Sequence, residues 1–194
     1  GIAPRFAKKL NKNNTVISID SYEASGLSAL ENIKTAGIET HSVDILKDKL
    51  PFEGNSIDLI FFGDVIEHLL HSPKPAIEEF YRVLKPSGYC ISATPNAVRL
   101  TTRIKVLAGY SNWSNLDDFW EKDFNEGHHH EYTIDEFCSV FERVGFLVEE
   151  KIMEESNLKN NSINKFSDIK SQKRRIGEKQ KEGIFYYLKK IALI

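Results

Sequence analysis

Residues 56–96, SIDLIFFGDVIEHLLHSPKPAIEEFYRVLKPSGYCISATPN, decide the fold of this chain. The stretch contains an apolar run at 57–62, an amphipathic segment at 75–84 and a second apolar run at 89–93. Apolar residues of the middle segment recur every three or four positions, which predicts a helix, whereas the two short runs are typical of buried strands. A strand, a helix and a second strand in this order predict a β-α-β unit with parallel strands.

The same alternation continues on both sides of this stretch. Further apolar runs predict strands at 15–19, 39–43 and 146–151. Helices are predicted at 25–36 and from Thr133 onward, where Thr133 and Glu136 form a capping-box pattern. We therefore predict an α/β fold, a Rossmann-like parallel sheet with helices on both faces.

The composition is that of one ordinary globular domain. The chain has 194 residues, 41% hydrophobic and 28% charged, with a formal net charge of −2. This charge argues against a surface built for nucleic-acid backbone. Cys90 and Cys138 are expected to be buried and unpaired, and no run approaches the ~20 apolar residues of a membrane span. We expect a cytoplasmic protein.

Polar residues follow three of the predicted strands. Asp20, Asp44 and the pair Gly63-Asp64 each come directly after an apolar run. Ligands of open parallel sheets bind beyond the carboxyl ends of the strands, and a carboxylate there can accept hydrogen bonds from ribose hydroxyls or an adenine amine. Taken singly, each Asp is more typical of a turn or a helix cap. Together they predict an adenosine site.

The order of these motifs resembles the class I S-adenosylmethionine (SAM) dependent methyltransferases, and in particular the broad family that includes the ubiquinone-biosynthesis O-methyltransferases. The motifs that carry the resemblance are LPF at 50–52, SIDLI at 56–60, DVIEHL at 64–69, YRVLKPSG at 81–88 and TPN at 94–96. The resemblance spans roughly residues 1–151 and implies SAM as the cofactor.

The resemblance also implies roles for single residues. Asp20 would hold the SAM ribose, Asp44 with Ile45 would approach the adenine, and Gly63 would line the methionine part, with Asp64 beside it in the cofactor-binding set. The family opens with a strand and a glycine-rich turn, whereas this chain opens at Gly1. We interpret Gly1 as the last glycine of that turn, so the first strand is expected to be missing and residues 1–10 to form the first helix.

Asp64, Glu67 and His68 have the i, i+3, i+4 spacing that places side chains on one face of a helix. Some members of the resembling family use this pattern to hold a divalent metal, and the small-RNA terminal-ribose methyltransferases add a histidine that matches His128. The simpler interpretation, which we favour, is a metal-free pocket in which Glu67, His68 and His128 are catalytic. His68 would then orient the acceptor or accept its proton.

We therefore predict a methyltransferase domain at 1–153, with an insert at 97–127, and a basic and apolar tail at 154–194. The predicted reaction moves the SAM methyl group to an oxygen or nitrogen of a small-molecule, lipid-linked or glycan acceptor. The alternatives are a terminal-ribose RNA methyltransferase and a non-catalytic protein that binds SAM or a partner. For the tail, we favour a linker and a packed helix that leads to a final antiparallel strand beyond the sequence. The other interpretation is peripheral membrane contact through 170–194.

Overall fold

The computed structural model describes residues 13–21, 31, 33–111, 120, 127–154 and 183–190. These residues fall into two compact units. The first ends at Pro51, and the second begins at Phe52 and includes the final strand. We describe each unit by itself. Among the described residues, no helix has the length and apolar content needed to cross a membrane.

The first unit contains two parallel strands, β1 (Ile17–Asp20) and β2 (Glu39–Ser42). Asp20 is in register with Ser42, so the carboxyl ends of the two strands lie side by side. Of the predicted helix at 25–36, residues 31 and 33–35 are helical, and the rest of it lies outside the described residues or in the turn that follows. Gly37, which has φ of +68°, ends this helix as predicted.

The second unit is a mixed four-stranded sheet in the order β3-β4-β6-β5. The β3 and β4 strands are parallel, and β6 is antiparallel to both β4 and β5. The strands are β3 (Ile57–Gly63), β4 (Leu84–Pro95), β5 (Phe146–Glu154) and β6 (Gly183–Lys190).

The final strand corrects the prediction for the tail. We expected a helix near the end of the chain and the antiparallel strand beyond it, but residues 183–190 are themselves that strand. The aromatic and branched residues of this segment favour extended structure, and two open strand edges are available to pair with it. The basic segment from Lys170 lies outside the described residues, so membrane contact remains an expectation.

Three helices pack against this sheet or extend from it: α1 (Lys74–Val83), α2 (Leu100–Leu107) and α3 (Ile134–Glu142). In α1 the apolar stripe is buried as predicted, with Ile77 fully inaccessible to solvent. The capping box of α3 is confirmed, because the Thr133 side chain accepts from the Glu136 amide and Glu136 accepts in return. The α2 helix lies in the insert that we predicted at 97–127.

The first residues of β4 explain the KPSG sequence. The β4 strand begins at Leu84, earlier than predicted, and Ser87 takes a left-handed φ of +65°. A Cβ at Gly88 would lie 2.9 Å from the Lys85 carbonyl oxygen and 3.2 Å from that of Asp58. Only glycine fits there without moving backbone. Cys90 and Cys138 are buried free thiols, as predicted.

Candidate active site

In the first unit, Asp20 lies at the carboxyl end of β1 and Asp44 lies just past the carboxyl end of β2. Asp20 is the last residue of β1, and its carbonyl oxygen accepts a hydrogen bond from the Val43 amide at 3.1 Å. Asp44 follows one residue later. Asp20 ends β1 and Asp44 lies two residues past the end of β2, so both acids lie at the carboxyl ends of adjacent parallel strands, where we predicted them.

The Asp44 side chain also closes a turn. Its Oδ1 accepts from the Leu46 amide at 3.0 Å and its Oδ2 accepts from Lys47 Nζ at 2.6 Å. The Asp44 amide in turn donates to Asp48 at 3.1 Å. Asp44 thus fixes the loop that contains Ile45, whatever further contact it makes.

In the second unit, Gly63 ends β3 and leaves room for a neighbouring ring. A Cβ at this position would lie 2.9 Å from Cζ of Phe61, two residues earlier on the same face. We predicted that the missing side chain admits a ligand to the backbone. The space is taken by the far end of a flexible, partly exposed side chain.

The segment after Gly63 is not the α-helix that the spacing predicted. Asp64 has a left-handed φ of +53°, and only Ile66–His68 form a short 3₁₀ helix. The Asp64 amide donates to the Ala93 carbonyl oxygen at 2.9 Å, which ties this turn to the end of β4. A non-glycine residue in this conformation stores strain of the kind common at functional sites.

Glu67 is the middle residue of the 3₁₀ helix, and its side chain has no solvent exposure. Its Oε2 accepts a hydrogen bond from Thr94 Oγ1 at 3.1 Å. Among the described residues, its Oε1 is the buried side-chain oxygen that lacks a hydrogen-bond partner, and His68 Nε2 lies 4.0 Å from it. Burial raises the pKa of Glu67, and the nearby Asp64 raises it further.

His128 joins this cluster from a distant part of the sequence. The amides of His129 and His130 donate to the Glu67 carbonyl oxygen at 2.7 and 3.3 Å, which holds the loop against the 3₁₀ helix. The rings of His128 and His68 meet edge to face with centroids 4.9 Å apart. One ligating atom from each of Glu67, His68 and His128 lies within 4.8 Å of the others.

Asp64 belongs to the same electrostatic environment. Partial desolvation raises the pKa of Asp64, and the charges of His68 and His128 oppose that rise. The three side chains that we grouped from their spacing are therefore close together, although not through a regular α-helix. We call Asp64, Glu67, His68 and His128 the acid–histidine cluster.

Sequence reasoning missed three residues that support this cluster. Thr94 donates to Glu67, and Glu131 accepts from both His128 and Arg99. Thr94 lies inside the TPN motif that we quoted for the family resemblance, and Glu131 follows the predicted His128 by three residues. Their contacts join positions 27 and 32 residues apart in sequence, which spacing alone does not reveal. Gly1, the remaining predicted cofactor residue, lies outside the described residues.

Comparison with known proteins adds the family. Residues 1–92 match the family model described as a methyltransferase domain. This part of the chain is similar to that family. The chain is also 31% identical over 84 residues to the malonyl-acyl-carrier-protein O-methyltransferase of Marinomonas sp. strain MWYL1, a match that covers 43% of this chain and 31% of the relative. The chain therefore spans about a third of that relative's length.

Solved structures agree on the fold of this chain. A SAM-dependent methyltransferase from Methanosarcina mazei superposes with a TM-score of 0.63 at 16% identity, over 93% of this chain and 84% of that one. The cyclase SpnF superposes with a TM-score of 0.60 at 12% identity, over 95% of this chain and 70% of that one. The fold is the Rossmann-like α/β fold of class I SAM-dependent methyltransferases, as predicted.

The cofactor of this domain class is SAM, and the described residues fit it in part. Asp20 ends β1 with a partly exposed side chain, a position from which a carboxylate can accept hydrogen bonds from a ribose diol. The loop that Asp44 fixes presents Ile45 at the neighbouring strand end.

Proposed function

We propose that this chain is a SAM-dependent methyltransferase that acts on an oxygen, or secondarily a nitrogen, of a small-molecule, lipid-linked or glycan acceptor. The observation that carries the proposal is the acid–histidine cluster after β3 in a chain whose first 92 residues match a methyltransferase domain. The O-methyltransferase activity named for the Marinomonas relative supports oxygen as the acceptor atom.

The protein's part in such a reaction is alignment and proton transfer. When bound, SAM supplies a methyl group made electrophilic by its positively charged sulfur. Within the first unit, Asp20 would hold the ribose, with Asp44 and Ile45 at the adenine. A hydroxyl acceptor loses its proton as its oxygen bonds to the methyl carbon and the carbon–sulfur bond breaks. His68 or His128 would accept that proton, because imidazole takes up protons near neutral pH.

Cofactor binding is tested by calorimetric titration of the protein with SAM. The D20N variant removes the charge at the ribose position and should bind SAM at least about 10-fold more weakly, or about 1.4 kcal/mol. The matched control is D58N, since Asp58 is an exposed residue of β3 that pairs with Lys85 at 2.7 Å and is not among the predicted cofactor residues. Equal affinities for the two variants would contradict the role of Asp20.

The acceptor is tested with methyl-labelled SAM and a panel of a catechol, a malonyl thioester of an acyl carrier protein, an oligosaccharide and a glycolipid. We expect label on one of these classes, and loss of at least 90% of the transfer rate in H68A, on the scale of a general-base effect. If the protein binds SAM but labels no panel member, the non-catalytic alternative gains support.

A second candidate function is terminal-ribose methylation of small RNA. The observation that favours it is the cluster itself, because Glu67 Oε1 lacks a partner and two imidazoles lie within 4.8 Å of that side chain's ligating atom. Glu67, His68 and His128 would hold a divalent cation there, which would orient the two ribose oxygens. The net charge of −2 weighs against a nucleic-acid substrate. A short RNA with a 3′-terminal diol, assayed with Mn²⁺ and with a chelator, distinguishes the two functions.

A further inference from the structure

Glu131 connects the acid–histidine cluster to a fixed positive charge. Its Oε1 lies 2.7 Å from Nδ1 of His128, and its Oε2 accepts from Nη1 of Arg99 at 2.8 Å. The Arg99 guanidinium also donates to the Asn96 carbonyl oxygen at 3.2 Å. Both carboxylate oxygens are therefore engaged, and the guanidinium that holds one of them is itself held by backbone just beyond β4.

This arrangement determines which nitrogen of His128 carries hydrogen. An ionised carboxylate can only accept, so a contact of 2.7 Å requires a hydrogen on Nδ1. In a neutral imidazole the other nitrogen, Nε2, then carries the lone pair. The ion pair with Arg99, in which both side chains are largely buried, holds the Glu131 carboxylate in place.

We infer that Glu131 is a positioning residue, which fixes His128 as the Nδ1–H tautomer and leaves the lone pair of the ring on Nε2, the nitrogen that does not contact Glu131. The inference rests on the proposed function for its purpose, although its physical content does not depend on catalysis. A carboxylate that is hydrogen-bonded to one nitrogen of a functional histidine holds the orientation and the tautomer of the ring. His128 thereby becomes a stronger candidate than His68 for the group that accepts the acceptor's proton.

The test is the tautomer of His128 in protein labelled with ¹⁵N-histidine. Correlations from the ring nitrogens to the ring carbon-bound protons identify the protonated nitrogen, measured at pH 8, with the His128 signals assigned through H128Q. We expect the Nδ1–H form in the wild type. The E131L variant removes the acceptor, so the Nε2–H form that free imidazole prefers should become the major one. The E131Q variant keeps an acceptor oxygen and should retain the Nδ1–H form.

The chain offers a matched control in a second histidine–carboxylate pair. Glu39 Oε1 lies 2.9 Å from His41 Nε2 on β2, so E39Q should change the His41 signals and leave those of His128 unchanged. A wild-type Nε2–H tautomer, or an unchanged tautomer in folded E131L, would overturn the inference. If E131L does not fold, the wild type and E131Q decide, and an Nε2–H form in either counts against it.

SAM titration of the same samples separates this inference from the proposed function. Wild-type protein that fails to bind SAM but shows the Nδ1–H tautomer would contradict the proposed function and leave the role of Glu131 in positioning His128 supported.

Discussion

The carboxyl group of Glu67 is buried from water and has an incomplete set of hydrogen-bond partners among the described residues. Its side chain has no solvent exposure, and its Oε1 lacks a hydrogen-bond partner among the described residues. Leaving such a group buried costs on the order of 1–3 kcal/mol. A residue that lowers stability at this position is typical of a functional site.

We expect the E67Q variant to be more stable than the wild type at pH 8 by about 1 kcal/mol, and to lose methyl transfer. The pKa of Glu67 is raised by burial, so the folded protein binds this proton more tightly than the unfolded chain does. The stability contribution of the group is therefore present at pH values below its ordinary pKa and is lost as the pH rises through the raised pKa.

Urea unfolding of both proteins in a chelating buffer at pH 4.5 and pH 8 measures this difference. The advantage of E67Q should grow with pH. E78Q is the control, because Glu78 is an exposed residue of α1 that pairs with Lys74 at 3.6 Å. If E67Q is less stable than the wild type at pH 8, the prediction is wrong. The ionised Glu67 carboxylate would then have a stabilising contact that the described residues do not show.

At the scale of single elements, the stability of α3 depends on the hydrogen bonds of its first turn. The Glu136 carboxylate accepts from the Thr133 amide at 2.9 Å and from Thr133 Oγ1 at 2.8 Å, and these bonds lower the pKa of Glu136. T133A should cost about 1 kcal/mol at pH 7. Because a lowered acid pKa gives stability that is lost as the pH falls through it, the cost should shrink at acid pH. Thermal unfolding against S139A, on the same helix, checks both statements.

The close backbone contacts of Gly88 near the start of β4 predict that this position tolerates only glycine. G88A would place a Cβ 2.9 Å from one backbone oxygen and 3.2 Å from another, and backbone there cannot move without disturbing the β3–β4 register. We expect a loss of about 1–3 kcal/mol in the free energy of unfolding. G54A is the matched control, since its Cβ would meet a carbonyl oxygen at an ordinary 3.5 Å. Equal stability of the two variants would refute the close approach.

At the scale of the whole molecule, sequence patterns predicted those features that depend on residues close together in the sequence. The amphipathic period of α1, the capping box of α3 and the apolar runs of β1 to β5 are set by residues near in sequence, and each was confirmed, although β4 begins five residues earlier than its predicted start at 89. The contacts of Glu67 with Thr94 and of Arg99 with Glu131 depend on how β4 and the loop before α3 come together. No spacing rule contains that information, so the cluster's supporting residues escaped prediction.

The last strand shows the same limit and allows a test. Residues 183–190 resemble a terminal helix when considered alone, yet they form β6, which pairs with β4 on one side and β5 on the other. Since β4 and β5 reach each other only through β6 in this sheet, a chain that ends at residue 154 should lose β5 from the sheet and unfold without a cooperative transition. Circular dichroism melts check this against a chain that ends at residue 190, which retains all of β6 and should melt cooperatively. A cooperative melt of the shorter chain at an unchanged temperature would show that β6 is dispensable for the sheet.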